Sequence, residues 1–178
     1  MSESDRASWT LLHAQLHRTL RQRKLLPPDA GILIAVSGGQ DSLCLAKLLL
    51  DLQPKWDWKL TIAHCDHRWR TDSAAKATYV QQLAQSWGLP DRCCIADRVT
   101  TSEASARQWR YQMLSDMAAT EGVHYVVTGH TQTDRAQTLM YNLIRGTGTD
   151  GLQSLTWKRT LAPGIDLVRP LLDISRDR

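Results

Sequence analysis

Residues 32 to 50, Ile-Leu-Ile-Ala-Val-Ser-Gly-Gly-Gln-Asp-Ser-Leu-Cys-Leu-Ala-Lys-Leu-Leu-Leu, decide the reading of this chain. Ile32 to Val36 is a short, wholly apolar run, the pattern of a strand covered on both faces. Residues 42 to 53 place Leu43, Ala46 and Leu50 on one side of a helix, with Pro54 as its expected end. Between them lies Ser37-Gly38-Gly39-Gln40-Asp41-Ser42. The two glycines permit a tight turn and close approach of a ligand. The helix beyond them offers free N–H groups and the positive end of its dipole to an anion. Ser37 and Ser42 add hydroxyls. The loop has no lysine, so it is not a Walker loop, and it carries a carboxylate where phosphates would lie.

Outward from this stretch, strands and helices alternate. Residues 59 to 63 predict a second strand, 73 to 87 a helix, and 93 to 99 a third strand. Thr100 with Glu103 forms a capping-box pattern opening a helix to about 120, with Ala106, Trp109, Met113 and Met117 inward. His124 to Thr128 predicts a fourth strand. A helix over 132 to 145 would turn Ala136, Leu139, Met140 and Leu143 inward. Ile165 to Val168 reads as a last short strand. Such alternation means βαβ units and a parallel sheet of about five strands with helices on both faces. Ahead of it, residues 1 to 30 hold one helix with Trp9, Leu12, Leu16 and Leu20 at helical spacing, stopped by Pro27-Pro28. Its Arg18, Arg21, Arg23 and Lys24 suit a solvated face or a nucleic-acid backbone.

The 178 residues suffice for one domain. No apolar run approaches the roughly 20 residues of a membrane span, and the polar start lacks a signal-peptide core. A cytoplasmic location is therefore expected. A formal net charge of +4 permits an anionic partner without demanding one. Cys44, Cys65, Cys93 and Cys94 include no C-x-x-C pair, so reduced thiols used as small core residues are expected.

Ligands in parallel sheets bind beyond the carboxyl ends of the strands. The residues just past each strand are therefore the useful test. After the first strand comes the serine–glycine loop. After the second, His64, Asp66 and His67 have the chemistry to bind a metal or hold a nucleotide. Arg107 and Arg110, at i and i+3 of the third helix, suit a polyphosphate. After the fourth strand, His130, Asp134 and Gln137 would repeat along one helical face. Arg145-Gly146-Thr147-Gly148 adds a flexible loop with a cation.

These segments together resemble the tRNA(Ile)-lysidine synthetases, within the N-type ATP pyrophosphatases that share an SGGxDS PP-loop. The matching stretches are SGGQDS (37–42), HCDHRWR (64–70), EASARQWRY (103–111), TGHTQTDRAQT (128–138), RGTGTDGL (145–152) and RPLL (169–172). The resemblance implies a Rossmann-like three-layer α/β sandwich of the HUP-like adenine nucleotide alpha-hydrolase type over residues 31 to 178. It implies ATP bound over Ser37, Gly38, Gly39, Gln40, Asp41 and Ser42, with His64, Asp66, Arg107 and Arg145 also on the nucleotide. The implied reaction adenylates carbon 2 of the wobble cytidine of a CAU-anticodon tRNA(Ile). The ε-amine of free L-lysine then displaces AMP.

Under that resemblance Asp41 would hold Mg²⁺, which answers why a phosphate cradle carries a negative charge. Arg107, Arg110 and Arg145 would replace the Walker lysine. Arg110, His130 and Asp134 join Asp41 as the expected catalytic set, with His130 holding the nucleotide or the α-phosphate and Asp134 facing the lysine amine. Asp134 and Gln137 would bind lysine. The family usually has an acid in place of Thr133 and a glutamate in place of Gln137, so weaker lysine binding is expected here. The family continues past RPLL into tRNA-holding domains, so these residues alone would bind ATP with poor tRNA selectivity. A homodimer is compatible with the sequence. Another tRNA-modifying PP-loop enzyme of the 2-thiocytidine type, or a non-catalytic nucleotide-binding module, are the alternatives.

Overall fold

The structure, a computed structural model, describes residues 9–68, 73–97, 102–144 and 155–175. Five helices and six strands succeed one another along these residues: α1 (Leu11–Gln22), β1 (Gly31–Ala35), α2 (Gln40–Trp56), β2 (Lys59–Asp66), α3 (Ser73–Ser86), β3 (Asp91–Ile95), α4 (Glu103–Thr120), β4 (Tyr125–Thr128), α5 (Gln132–Ile144), β5 (Lys158–Ala162) and β6 (Ile165–Val168). They form one sheet in the order β3-β2-β1-β4-β6-β5. The five parallel strands expected from the sequence are β3, β2, β1, β4 and β6. A sixth, β5, joins the edge antiparallel to β6 across the Pro163-Gly164 turn. It escaped the sequence reading because Lys158-Arg159-Thr160 has no apolar alternation.

Helices α1, α2 and α3 cover one face through Leu16, Leu20, Leu45, Leu49, Leu52, Val80 and Ala84, all buried with β1 and β2 residues. On the other face, Leu114 and Ala118 of α4 pack on Leu33, Val126 and Leu167. The central strands β1 and β4 are buried on both faces, which is why they read as unbroken apolar runs. The chain runs from β1 out to β2 and β3, then returns to place β4 on the other side of β1. Strand order therefore reverses at the carboxyl ends of β1 and β4, the place where such sheets bind ligands.

Several local expectations change. Pro54 lies inside α2, which runs on to Trp56. That last turn is held by the Trp56 indole, which donates to His17 Nδ1 at 3.2 Å and stacks on Trp58; Asp57, at φ 55°, then ends the helix. Strand β2 continues past residue 63 to Asp66, so His64 and Asp66 stand within the strand. The third strand, Asp91–Ile95, starts two residues earlier than expected and is shorter.

Helix α4 is capped by Ser102, whose Oγ accepts from Ser105 N–H while its own N–H donates to Ser105 Oγ; Thr100 lies outside the described residues. The buried stripe of α4 is Ala106, Leu114, Ser115 and Ala118, while Trp109, Met113 and Met117 are only partly covered. Trp9 precedes α1 and stays half exposed. No residue of α5 is buried. Its apolar stripe, including Met140 and Leu143, faces outward among the described residues. Periodicity identified that face but not a partner for it.

Candidate active site at the sheet switch point

The SGGQDS loop is braced by its own hydroxyls. Ser42 Oγ donates to Gly39 O at 2.8 Å and accepts from Ser37 N–H at 3.1 Å. Gly39 N–H donates to Ser37 Oγ at 3.3 Å. Gly38 adopts φ +79°, which suits only glycine at low cost. Gly39 is the N-cap residue of α2, and Asp41 sits in that helix's first turn. The loop thus presents a helix N-terminus with no side-chain cap, the feature that receives anions.

The start of this loop is fixed from β2. His64 Nδ1 bonds Val36 O at 2.7 Å, and Val36 N–H donates to Ala63 O at 2.8 Å. His64 and Asp66 share a face of β2 and are buried. Asp66 accepts from Arg68 N–H at 2.7 Å, so part of its hydrogen-bonding capacity shapes the turn after β2. The other wall comes from β4. A Cβ on Gly129 would sit 2.9 Å from Asp41 O and 3.0 Å from Ser42 Cα. Only glycine lets the end of β4 lie this close to the first turn of α2.

These elements enclose a cleft of about 240 Å³ lined by Ser37, Gly39, Gln40, Asp41, Ser42, Arg110, His130 and Asp134 among others. A second cavity of about 290 Å³ continues from it, lined by His64, Asp66, His67 and Lys76, with Ser37, Gly39, Cys65 and Arg110 shared between the two. All four residues expected to be catalytic, Asp41, Arg110, His130 and Asp134, therefore line one cleft. Gly38 forms the turn behind it. Arg107 and Gln137 are exposed and line neither cavity. Arg145 and the loop after it lie outside the described residues, as do Trp69 and Arg70.

His130 precedes α5 rather than riding on it, and its Nδ1 pairs with Thr128 Oγ1 at 2.8 Å. Burial, followed by the nearby Arg169, lowers its pKa to about 4. The imidazole is therefore neutral at physiological pH and can donate or accept without adding charge. Asp134 is built into the start of α5. Its Oδ2 accepts from Thr131 N–H at 2.7 Å and from Thr131 Oγ1 at 2.9 Å. This carboxylate caps the helix while it lines the cleft.

Arg169, Tyr111 and Leu114 were absent from the expected site. Tyr111 and Leu114 line the cleft. Arg169 is 1% exposed, donates through Nη1 to Thr156 O at 2.9 Å, and lies beside Tyr111. Its Nε has no partner among the described residues. A guanidinium this buried is costly unless it serves a site, and its place in the RPLL stretch was the available signal. The cysteines depart from expectation too: Cys93 is exposed, and Cys65 and Cys94 meet on neighbouring strands with sulfurs 3.4 Å apart. No group of three or more metal-binding His, Cys, Asp or Glu side chains occurs among the described residues. No helix among them is long and apolar enough to cross a membrane.

Comparison with known proteins agrees with this geometry. The chain is 61% identical over 168 residues to a tRNA(Ile)-lysidine synthase of Nostoc sp., covering 94% of this chain and 49% of that protein. It is 53% identical over 168 residues to the tRNA(Ile)-lysidine synthase of Thermosynechococcus vestitus, covering 94% of this chain and 48% of the relative. The chain thus spans about half the length of these curated relatives. Among solved structures, a U34-tRNA thiolase from Methanococcus maripaludis shares the fold with TM-score 0.75 at 20% identity, over 93% of this chain and 58% of that one. An NH3-dependent NAD synthetase from Campylobacter jejuni gives TM-score 0.55 at 14% identity, over 96% and 69%. The PP-loop domain profile matches residues 11–178, and with the loop, the switch point and the cleft in agreement, this chain belongs to the PP-loop domain family.

Proposed function

We propose that this domain cleaves ATP to AMP and pyrophosphate and ligates lysine to carbon 2 of the wobble cytidine of a CAU-anticodon tRNA(Ile). One observation carries the reading. Asp41, Arg110, His130 and Asp134, drawn from three segments, meet in one cleft over the PP-loop, in a chain that resembles lysidine synthases at up to 61% identity.

In this reading the triphosphate lies over residues 37 to 42, its oxygens on the free N–H groups of α2. The attack of the cytidine carbonyl oxygen on the α-phosphate expels pyrophosphate. Arg110, which faces both cavities, offsets the developing charge. Neutral His130 hydrogen-bonds the nucleotide or the α-phosphate. Asp134 faces the lysine ammonium, which must lose a proton before it attacks. Two bonds from Thr131, through N–H and Oγ1, fix this carboxylate in place.

The hard oxygen donors of Asp41, Ser37 and Ser42 in the cleft fit Mg²⁺, which also takes ligands from substrate phosphates. Bound there, it would neutralise the phosphate charge. His64 Nδ1 bonds Val36 O, which ties this cavity-lining imidazole to the start of the loop. The likeness to the thiolase concerns the fold alone, and the close relatives do not favour thiolation or an inert module.

The test is incorporation of labelled lysine into CAU-anticodon tRNA(Ile) by the protein that carries this domain, wild type and Asp41→Ala. Lysine incorporation in wild type and its loss in the variant are expected. Full activity in Asp41→Ala removes the metal role of Asp41, and absence of tRNA-dependent incorporation in wild type removes the reading.

A further inference from the structure

Tyr111 lines the cleft, and its ring is flanked by two guanidinium groups that do not. Arg107, one turn earlier on α4, stands 5.3 Å from the ring centroid. Arg159, from the edge strand β5, stands 4.9 Å from it. Both are exposed, and neither joins an ion pair among the described residues. Buried Arg169 lies beside the same tyrosine. Three guanidiniums thus surround one phenol without a carboxylate partner among the described residues. Like charges gathered this way repel one another unless an anion binds between them.

We propose that Arg107 and Arg159, held against Tyr111, form a clamp for the RNA backbone phosphates beside the wobble nucleotide. The inference rests on the lysidine-forming reading and assigns part of its RNA-binding surface. A base can be modified in this cleft only after leaving the loop stack. Its flanking phosphates then lie just outside the cleft, where these two side chains stand. A guanidinium lying against an aromatic ring keeps its N–H edge free for bidentate phosphate binding. Arg110 already serves the cavities over the PP-loop, whereas Arg107 and Arg159 lie outside both. Strand β5 thereby gains a role: it carries a cation to the tyrosine that walls the cleft.

The experiment measures binding of a synthetic RNA stem-loop with a CAU anticodon, by fluorescence anisotropy across a salt series, and ATP binding by calorimetry. Arg159→Gln is expected to weaken RNA binding about tenfold near 0.1 M salt and to flatten the log–log salt slope by about 0.7 per lost phosphate contact. Its ATP affinity should equal that of wild type. Arg159→Lys should restore the slope but only part of the affinity, because a single ammonium cannot make the bidentate contact. Adding Arg107→Gln should flatten the slope again.

Unchanged RNA affinity and slope in Arg159→Gln overturn the clamp while leaving the functional reading intact. Parallel loss of ATP and RNA binding in that variant also overturns it, since the cation would then serve the nucleotide. Failure of the wild-type protein that carries this domain to bind the stem-loop at any salt overturns the functional reading, and the clamp with it.

Discussion

Replacing Gly129 by alanine tests how closely the sheet switch point is fitted. The new Cβ would meet Asp41 O at 2.9 Å, Asp41 C at 3.0 Å and Ser42 Cα at 3.0 Å. All three are backbone atoms, so no side chain can swing aside. Ordinary carbon contacts lie near 3.5–4.0 Å, so the first turn of α2 must retreat by about 0.5 Å or more. Overpacking of this kind costs about 1–3 kcal/mol. At about 2–4 °C per kcal/mol for a chain of this size, melting should fall by about 2–12 °C. The atoms displaced carry Asp41 and Ser42 of the PP-loop, so ATP affinity must fall as well.

Gly122→Ala supplies the control: its φ is +65°, yet nothing lies within 4 Å of the added Cβ. It should lose about 1–2 kcal/mol to left-handed strain and keep its ATP affinity. Thermal melts and calorimetric ATP titrations of the two variants make the comparison. A Gly129→Ala protein that melts and binds ATP like wild type refutes the close approach of β4 to α2.

The same site supports further expectations. His130 should stay neutral down to about pH 4; since its folded pKa lies below the unfolded value, its contribution to stability is complete above about 6.5 and drains away as pH falls toward 4. NMR titration of the imidazole reads this directly, and a midpoint near 6.5 contradicts it. Thr131→Ala removes a hydroxyl bond to Asp134 and should cost about 0.5–2 kcal/mol in denaturant unfolding; an unchanged midpoint would show that the cap is unimportant. Gln137, exposed on α5 and outside both cavities, carries the lysine role that the resemblance implies: Gln137→Glu should then tighten lysine binding by about 2- to 30-fold, because a charge-assisted bond is worth about 1.5–3 kcal/mol against about 1 for a neutral one. No gain in lysine affinity would remove Gln137 from the lysine site.

The parallel sheet and most of its cleft could be read in the sequence because their signals are local. Ile32 to Val36 must be a doubly covered strand, and a serine–glycine loop between such a strand and a helix has few other shapes. Strand-end residues such as His130 converge because parallel strands all deliver their loops to one edge. The features that were not legible depend on partners distant in the chain. Strand β5 owes its existence to pairing with β6, not to its own apolar pattern. Arg169 reads as a surface cation until β6 and Tyr111 enclose it. The Thr100–Glu103 pattern pointed to the wrong N-cap of α4, because Ser102 carries the same hydroxyl chemistry two residues later. The outward stripe of α5 shows the same limit: Met140 and Leu143 have helical spacing, but spacing does not say which side the sheet is on.

The central claim is that ATP lies across the PP-loop at the switch point and is broken between its α- and β-phosphates. Tracing ATP labelled at the α-phosphorus in the presence of CAU-anticodon tRNA(Ile), lysine and Mg²⁺ tests it most directly. The account predicts labelled AMP, formed only when the tRNA is present. Labelled ADP, or AMP released at the same rate without tRNA, would contradict it.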